Sequence, residues 1–265
     1  MRTSLPFRIA NVYASQSMAG NPIAVFTTEV DPDFMQKIAR QLNCTGTVFV
    51  TRTGPAAYSA RMFSPKFEAP YGGAGSLGAV WAMGEGRWVQ TTSGAVVETE
   101  YADGIGWTGQ PEPEIAPIED HDLADAIGLR NIEGAFLGQA AGAWHLAVVT
   151  PDSPADFRPD PALLGRVAAR HSRCTIGAFR RLGESEVHGR VFAPAQGLEE
   201  DPACAGGAGI VARIMQRHFG CADRVVIREG EEMGRPSRID VVTTAQSVRV
   251  GGPIVLAAEG CLYLG

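Results

Sequence analysis

The sequence lacks the features that would place it with nucleic acids, membranes or extracellular disulfide scaffolds. It has no basic run and no interleaving of aromatic with basic residues, and its net charge is -6, which argues against a polyanionic partner. No stretch approaches the ~20 apolar residues of a membrane-spanning helix. The N-terminal MRTSLPFRIANVYA has no signal-peptide apolar core, so the expected location is cytoplasmic. The five cysteines, at 44, 174, 204, 221 and 261, form no CxxC and no pair at metal-ligand spacing. An odd count fits a reducing compartment better than a disulfide framework, and no metal site is expected. With 45% hydrophobic and 20% charged residues the chain is an ordinary globular composition, and 265 residues is more than most single cores hold, so two domains of similar size are expected.

What is present centres on Arg190 to Gly209, RVFAPAQGLEEDPACAGGAG. A strand feeds a Pro/Gly turn, three acids follow, and small residues open an apolar helix. Such a turn leaves unpaired backbone N–H groups and the positive end of a helix dipole converging on one spot, which suits a carboxylate or an enolate. Cys204 sits in that turn, where its pKa could fall toward a reactive thiolate, or where it could be a plain buried residue. The order recurs upstream: Arg61, Phe63, Pro65, Glu68, Pro70, Gly72, Gly73, Ala74, Gly75 and Leu77 match Arg190, Phe192, Pro194, an acid, Pro202, Ala205, Gly206, Gly207, Ala208 and Ile210. Two copies suggest a duplicated unit whose Gly-rich loops face one cleft along a pseudo-twofold axis.

Between these landmarks, strands are expected at Phe7 to Val12, Ile23 to Thr27, Thr47 to Thr51 and Ala60 to Phe63, with a helix from the Asp31 cap to Asn43. Beyond Gly-rich loop and helix, strands at Trp88 to Thr92 and Ala95 to Glu100 complete the first half. QPEPEIAPI, Gln110 to Ile118, is Pro-rich without apolar period and reads as a linker, giving domains at 1–110 and 119–265. The second half reads as helices at Leu123 to Leu129, Pro161 to His171 and Ile210 to His218. Its strands fall at Trp144 to Thr150, Arg224 to Arg228, Arg238 to Thr243 and Ser247 to Val250. A final strand pair in Ile254 to Leu264 is free to pair back on the first half. The class is α+β, antiparallel strands around one long helix per domain.

The segments AGNPIAVF, MQKIARQLN, RMFSPKFEAPYGGAGSLG, RVFAPAQGLEEDPACAGGAG, GRPSRIDV and VGG, taken in order, resemble the PhzF family of isomerases, which share the diaminopimelate epimerase fold. The resemblance implies two pseudo-symmetric domains, cofactor-independent proton transfer on a small carboxylate, a role in secondary-metabolite biosynthesis, and a homodimer. It also marks departures. The family's Ser-Glu-Thr, whose Glu is its acid/base, matches Thr45, Gly46 and Thr47. Its Gly-His-Pro matches Gly73, Ala74 and Gly75. Its Asp-Pro-Ala-Thr-Gly-Ser matches Asp201, Pro202, Ala203, Cys204, Ala205 and Gly206. The Glu and His are gone, the Asp is kept, and Cys204 falls where related epimerases and racemases place their second catalytic Cys. Their first Cys would match Gly72.

The expected proton carriers are therefore Cys204 and Asp201, although an acid at that place is equally a helix cap. The expected binding residues are Asn21, Tyr71, Gly73, Ala74, Gly75, His145, Ala205, Gly206 and Gly207. Tyr71 could cover a substrate ring or pack in the core. His145 lies in the apolar strand WHLAVV, where a lone His is commonly structural. Glu68 and Arg235 read as structural, and Cys44, beside the lost Glu, as a minor candidate for its replacement. The expected activity is migration of a proton and double bond. Alternatives are a single-Cys dehydratase or racemase of a hydroxyproline-like amino acid, and a non-catalytic dimer that binds a small acid.

Overall fold

The computed structural model describes residues 3 to 264. In chain order its main elements are β1 (Thr3–Val12), β2 (Asn21–Phe26), α1 (Pro32–Leu42), β3 (Gly46–Gly54), β4 (Ala57–Phe63), β5 (Glu68–Ala69), α2 (Gly73–Met83), β6 (Gly86–Thr91), β7 (Val96–Ala102) and β8 (Ile105–Gln110). There follow β9 (Glu114–Pro117), α3 (Leu123–Ile127), β10 (Gly134–Ala140), β11 (Ala143–Val149), α4 (Pro161–Arg170), β12 (Thr175–Arg181), β13 (Glu186–Ala193), β14 (Leu198–Asp201), α5 (Ala205–Phe219), β15 (Arg224–Glu229), β16 (Ser237–Thr243) and β17 (Val248–Leu264).

Eight strands close a barrel in the order β1-β2-β3-β4-β6-β7-β8-β17 and back to β1. A second set runs β9-β10-β11-β12-β13-β15-β16-β17. Both sets repeat one grammar: β2 and β3 are parallel like β11 and β12, and β4 and β6 are parallel like β13 and β15. The remaining pairs in the two circuits are antiparallel, so the architecture is α+β with internal pseudo-symmetry.

Each circuit wraps one apolar helix. GAGSLGAVWAM is apolar on all sides because α2 is surrounded by strands, and Leu77, Ala79 and Val80 have no solvent exposure. Burying Leu77 contributes about 1.5–3 kcal/mol. Helix α5 buries Ile210, Val211, Ile214 and Met215 in the same way and ends on the left-handed Gly220.

The stretch expected as a linker is not one. Gln110 ends β8, and Glu114–Pro117 is β9, paired antiparallel with β10. Likewise Ser247 to Leu264 holds no strand pair but the single 17-residue β17, whose first part pairs with β8 and β16 and whose last part pairs with β1. The two halves thus exchange their last strands. A strand without apolar alternation looks like coil in sequence, because its ladder bonds are backbone bonds and one face remains wet. Strands β8, β10 and β12 were not expected either; each is interrupted by glycine, which weakens the β signal.

The exchange carries the N-termini of α2 and α5 to one place. A Cβ on Gly73 would lie 2.9 Å from the Ala205 Cβ, so the helix starts abut and only glycine fits at position 73. Arg235 is structural as expected: its guanidinium donates to the carbonyls of Gly20 (2.9 Å) and Ala19 (3.2 Å), holding the AGN turn that begins β2. In each half a bidentate ion pair braces the turn before the helix, Arg61 with Glu68 and Arg190 with Glu200.

Candidate active site

The helix starts open into a cavity of about 290 Å³ between the two halves. Asn21, Tyr71, Gly73, Ala74, Gly75, His145, Asp201, Cys204, Ala205 and Gly206 all line it, and so do Thr45, Gly46 and Thr47. Gly207 does not: it lies behind His145, where an added Cβ would meet the ring Nδ1 at 3.0 Å. Its expected place in the binding surface is corrected to that of a spacer that lets the imidazole pack on α5.

Asp201 is the carboxyl of this cavity. Its Oδ1 accepts from Asn21 Nδ2 at 2.8 Å and from the Ala203 N–H at 3.0 Å, and Asn21 Nδ2 also donates to the Ala203 carbonyl at 2.9 Å. Burial pushes the carboxyl pKa up to about 6, opposed by the Ala203 N–H and then by Asn21. A group titrating there both accepts and returns a proton near neutral pH.

Cys204 caps α5, and the expectation of an acidic thiol is reversed. Burial first, then the neighbouring Asp201 and Glu229 carboxyls, hold its pKa well above the ordinary value. Its backbone N–H is also taken, donating to Glu229 Oε2 at 2.6 Å. The thiol lies 3.9 Å from Thr175 Oγ1 and 3.8 Å from His145 Nδ1, and Thr175 Oγ1 is hydrogen-bonded to that same Nδ1. With burial lowering the His145 pKa to about 4, the ring is neutral at pH 7. A helix dipole favours a thiolate only where solvent or a cation shares its charge; here two acids and an apolar wall outweigh it.

Tyr71 is a wall residue. Its hydroxyl donates to the Gly109 carbonyl at 3.0 Å and sits 3.3 Å from Thr108 Oγ1, and burial raises its pKa. Three lining residues keep a buried polar atom without a partner among the described residues: Asn21 Oδ1, Thr47 Oγ1 and His145 Nε2. Because Asn21 Nδ2 is committed to Asp201, its Oδ1 is held as an acceptor.

Strand register aligns the two halves and shifts the motif match by one residue, setting Gly72 against Cys204 rather than Ala205. Ile23 pairs with Gly46 as His145 pairs with Thr175, and Gly72 caps α2 as Cys204 caps α5. The lining residues Asp201, Cys204 and His145 belong to the second half, while the matching Ala69, Gly72 and Ile23 carry no proton; the first half's titratable lining residue is Tyr71, whose hydroxyl is hydrogen-bonded and whose pKa burial raises. At position 46 a Cβ would stand 3.0 Å from Ile23 Cδ1, so the space of a longer side chain is partly taken by Ile23.

Residues 10–260 match the model of the PhzC-PhzF family, described as phenazine biosynthesis-like protein. The chain belongs to that family. A Trans-2,3-dihydro-3-hydroxyanthranilate isomerase of Pseudomonas fluorescens is 32% identical over 86% of this chain and 87% of its own, and an uncharacterized isomerase of Mesorhizobium japonicum is 27% identical over 97% and 98%. As a member among such relatives, the chain is an isomerase. Its fold matches that of a PhzF family protein of Bacillus anthracis at a TM-score of 0.85, with 18% identity and coverage of 99% and 100%. A hydroxyproline epimerase of Agrobacterium vitis matches at 0.66, with 12% identity over 100% of this chain and 94% of its own.

Sequence reasoning did not single out Glu229, Thr175 or Arg173. Glu229 was findable: in RVVIRE the positions of Val225, Ile227 and Glu229 share one face of β15, so an acid falls on the buried side. It is 1% exposed, and burial pushes its pKa up to about 8. Thr175 opens a strand that carries no pattern, and its bond to His145 joins residues 30 apart.

Proposed function

We propose that this isomerase moves a proton, and with it a double bond, within a small carboxylate-bearing metabolite, with Asp201 as its single acid/base and no cofactor. The first-turn N–H groups of α2, with the Gly206 N–H of α5, receive the carboxylate or the enolate-like charge that develops as the proton leaves. Asp201, at a pKa of about 6, removes the proton as carboxylate and delivers it as acid to the carbon at the far end of the allylic system. The proton moves from carbon to an Asp201 carboxylate oxygen, the electron pair of the broken C–H bond stays on the substrate and shifts the double bond by one position, and Asp201, its proton exchanging with solvent, protonates the far carbon and is a carboxylate again. Neutral His145, backed by Thr175, is placed to support charge on a substrate oxygen.

The observation that carries this reading is the one-sidedness of the site. With Asp201, Cys204 and His145 on the second half and Ala69, Gly72 and Ile23 opposite, removal and return occur on one face of the substrate. Racemisation by two bases needs a proton carrier on each face. Glycine at 72 stands where a racemase would need its opposing thiol, which favours double-bond migration over racemisation or dehydration.

The compound named for the Pseudomonas fluorescens relative is the first to test, in D2O by proton NMR, with wild type and Asp201→Asn. The reading expects solvent deuterium to enter ligand or product with wild type and not with the variant. Tight binding of a small acid by both proteins with no deuterium uptake from any of a panel of unsaturated carboxylates would instead favour a non-catalytic binder.

A further inference from the structure

The polar groups of the cavity are sorted by depth. Its floor is tightly built, where Gly73 meets Ala205 and α2 and α5 begin; in the first turn of α5 the Ala205 and Gly207 N–H groups are bonded to the Ala203 and Cys204 carbonyls, which leaves that of Gly206 beside the first-turn N–H groups of α2. Its mouth is formed by the exposed residues Phe67, Gly142, Ser172 and Arg173. Arg173 is the one lysine or arginine among the lining residues. Its guanidinium makes no ion pair and no hydrogen bond among the described residues, although most arginines of this chain do. An unpaired guanidinium at the rim of a half-apolar cleft is a ready partner for a carboxylate or phosphate, which it binds by a two-pronged fork.

The loop that presents it is also held in an uncommon shape. Ser172 and Arg173 are consecutive non-glycine residues in the left-handed region, at φ 57° and 58°. The strain is maintained by the Arg173 N–H on the Ala168 carbonyl (2.8 Å) and the Cys174 N–H on the His171 carbonyl (3.1 Å). Backbone strain of this kind persists where the surroundings impose it, and it clusters at ligand clamps. In the first half the matching position, counted from the Gly46 and Thr175 register, is Cys44, so this cation too is confined to the second half.

We propose that the ligand of this cavity carries two acidic groups, one received by the helix starts at the floor and a second paired with Arg173 at the mouth, and that Arg173 selects dianionic over monoanionic substrates. The inference rests on the proposed reading of the floor as a carboxylate site, and deepens it by naming the substrate class.

The test is titration calorimetry of the whole protein with succinate, glutarate and adipate, each against its monomethyl ester, which keeps size and removes one charge. For at least one length the diacid is expected to bind about 10-fold or more tighter than its ester. Arg173→Gln is expected to bring the two within about twofold by weakening the diacid far more than the ester, and Arg173→Lys to restore part of the preference. Raising salt should weaken diacid binding more than ester binding. Equal affinities in the wild type, or a preference that survives Arg173→Gln, would overturn the role of Arg173 while leaving the floor site standing. Failure of every diacid and every ester to bind a protein with an unchanged Tm would overturn both.

Discussion

Asp201 and Asn21 lie 180 residues apart in the chain and share a buried hydrogen bond of 2.8 Å across the line where the two halves meet. The bond joins a residue just before α5 to the first residue of β2, so the acid of one half is oriented by the other. Asp201→Asn retains an oxygen for both the Asn21 and Ala203 donors, and the fold should survive. If Asp201 moves the proton, turnover falls by roughly 100-fold or more with the Tm nearly unchanged.

The pH dependence follows from the raised carboxyl. As a base Asp201 must be ionised, so kcat/KM should rise with pH through about 6. Asn21→Ala removes a donor that favours the carboxylate, so the acidic limb should move to higher pH. A limb that stays in place in the variant would assign it to another group.

Cysteine reactivity separates a thiolate base from a buried thiol. Cys261 is exposed, whereas Cys204 is 7% exposed with its pKa driven up. Iodoacetamide at pH 8, followed by mass spectrometry, should label Cys261 first and the buried Cys174 and Cys204 far more slowly. Cys204→Ala should cost turnover less than about 10-fold, and rapid labelling of Cys204 would reinstate it as a base.

Glu229 links stability to pH. In the unfolded chain it ionises near 4.5, and in the fold it holds its proton to about 8. The folded state therefore binds more protons in that window, and stability falls as pH rises from about 4.5 to 8. Glu229→Gln keeps an acceptor for the Cys204 N–H and removes the titration. Denaturant melts at pH 6 and 8.5 should show a smaller loss in the variant, by on the order of 1 kcal/mol.

Close approach of the two helix starts is tested by Gly73→Ala. The added methyl meets Ala205 Cβ at 2.9 Å and its backbone at 3.1 Å, groups that cannot swing aside. Thermal melts should show a loss of about 1–3 kcal/mol, and carboxylate binding should weaken with it.

Much of this was legible before any coordinates. The repeated order of strand, Pro turn, acid and Gly-rich loop is local, and local order places helix starts: α2 and α5 begin at Gly73 and Ala205, inside the two motifs. The same motifs marked Asp201 and the loop residues that line the cavity, and the AGNPIAVF segment marked Asn21. Cys204 lies at the cavity, and its thiol pKa is raised rather than lowered. Its pKa is decided by Glu229 and Asp201, and by the burial that follows from barrel packing, none of which is encoded within its own segment.

By itself, the sequence determined the duplicated grammar and the apolar helices at the centre of each half. These are properties of residue type and spacing along a few turns of chain. Only the tertiary structure decided that the halves exchange β9 and the end of β17, and that Asp201, Cys204 and His145 gather at the second half's side of the cleft. It alone brought Arg173 to the mouth without an ion pair. Strand exchange is a matter of backbone bonds between distant segments, and proton affinity is a matter of desolvation and neighbouring charge; both are set by which residues meet in space.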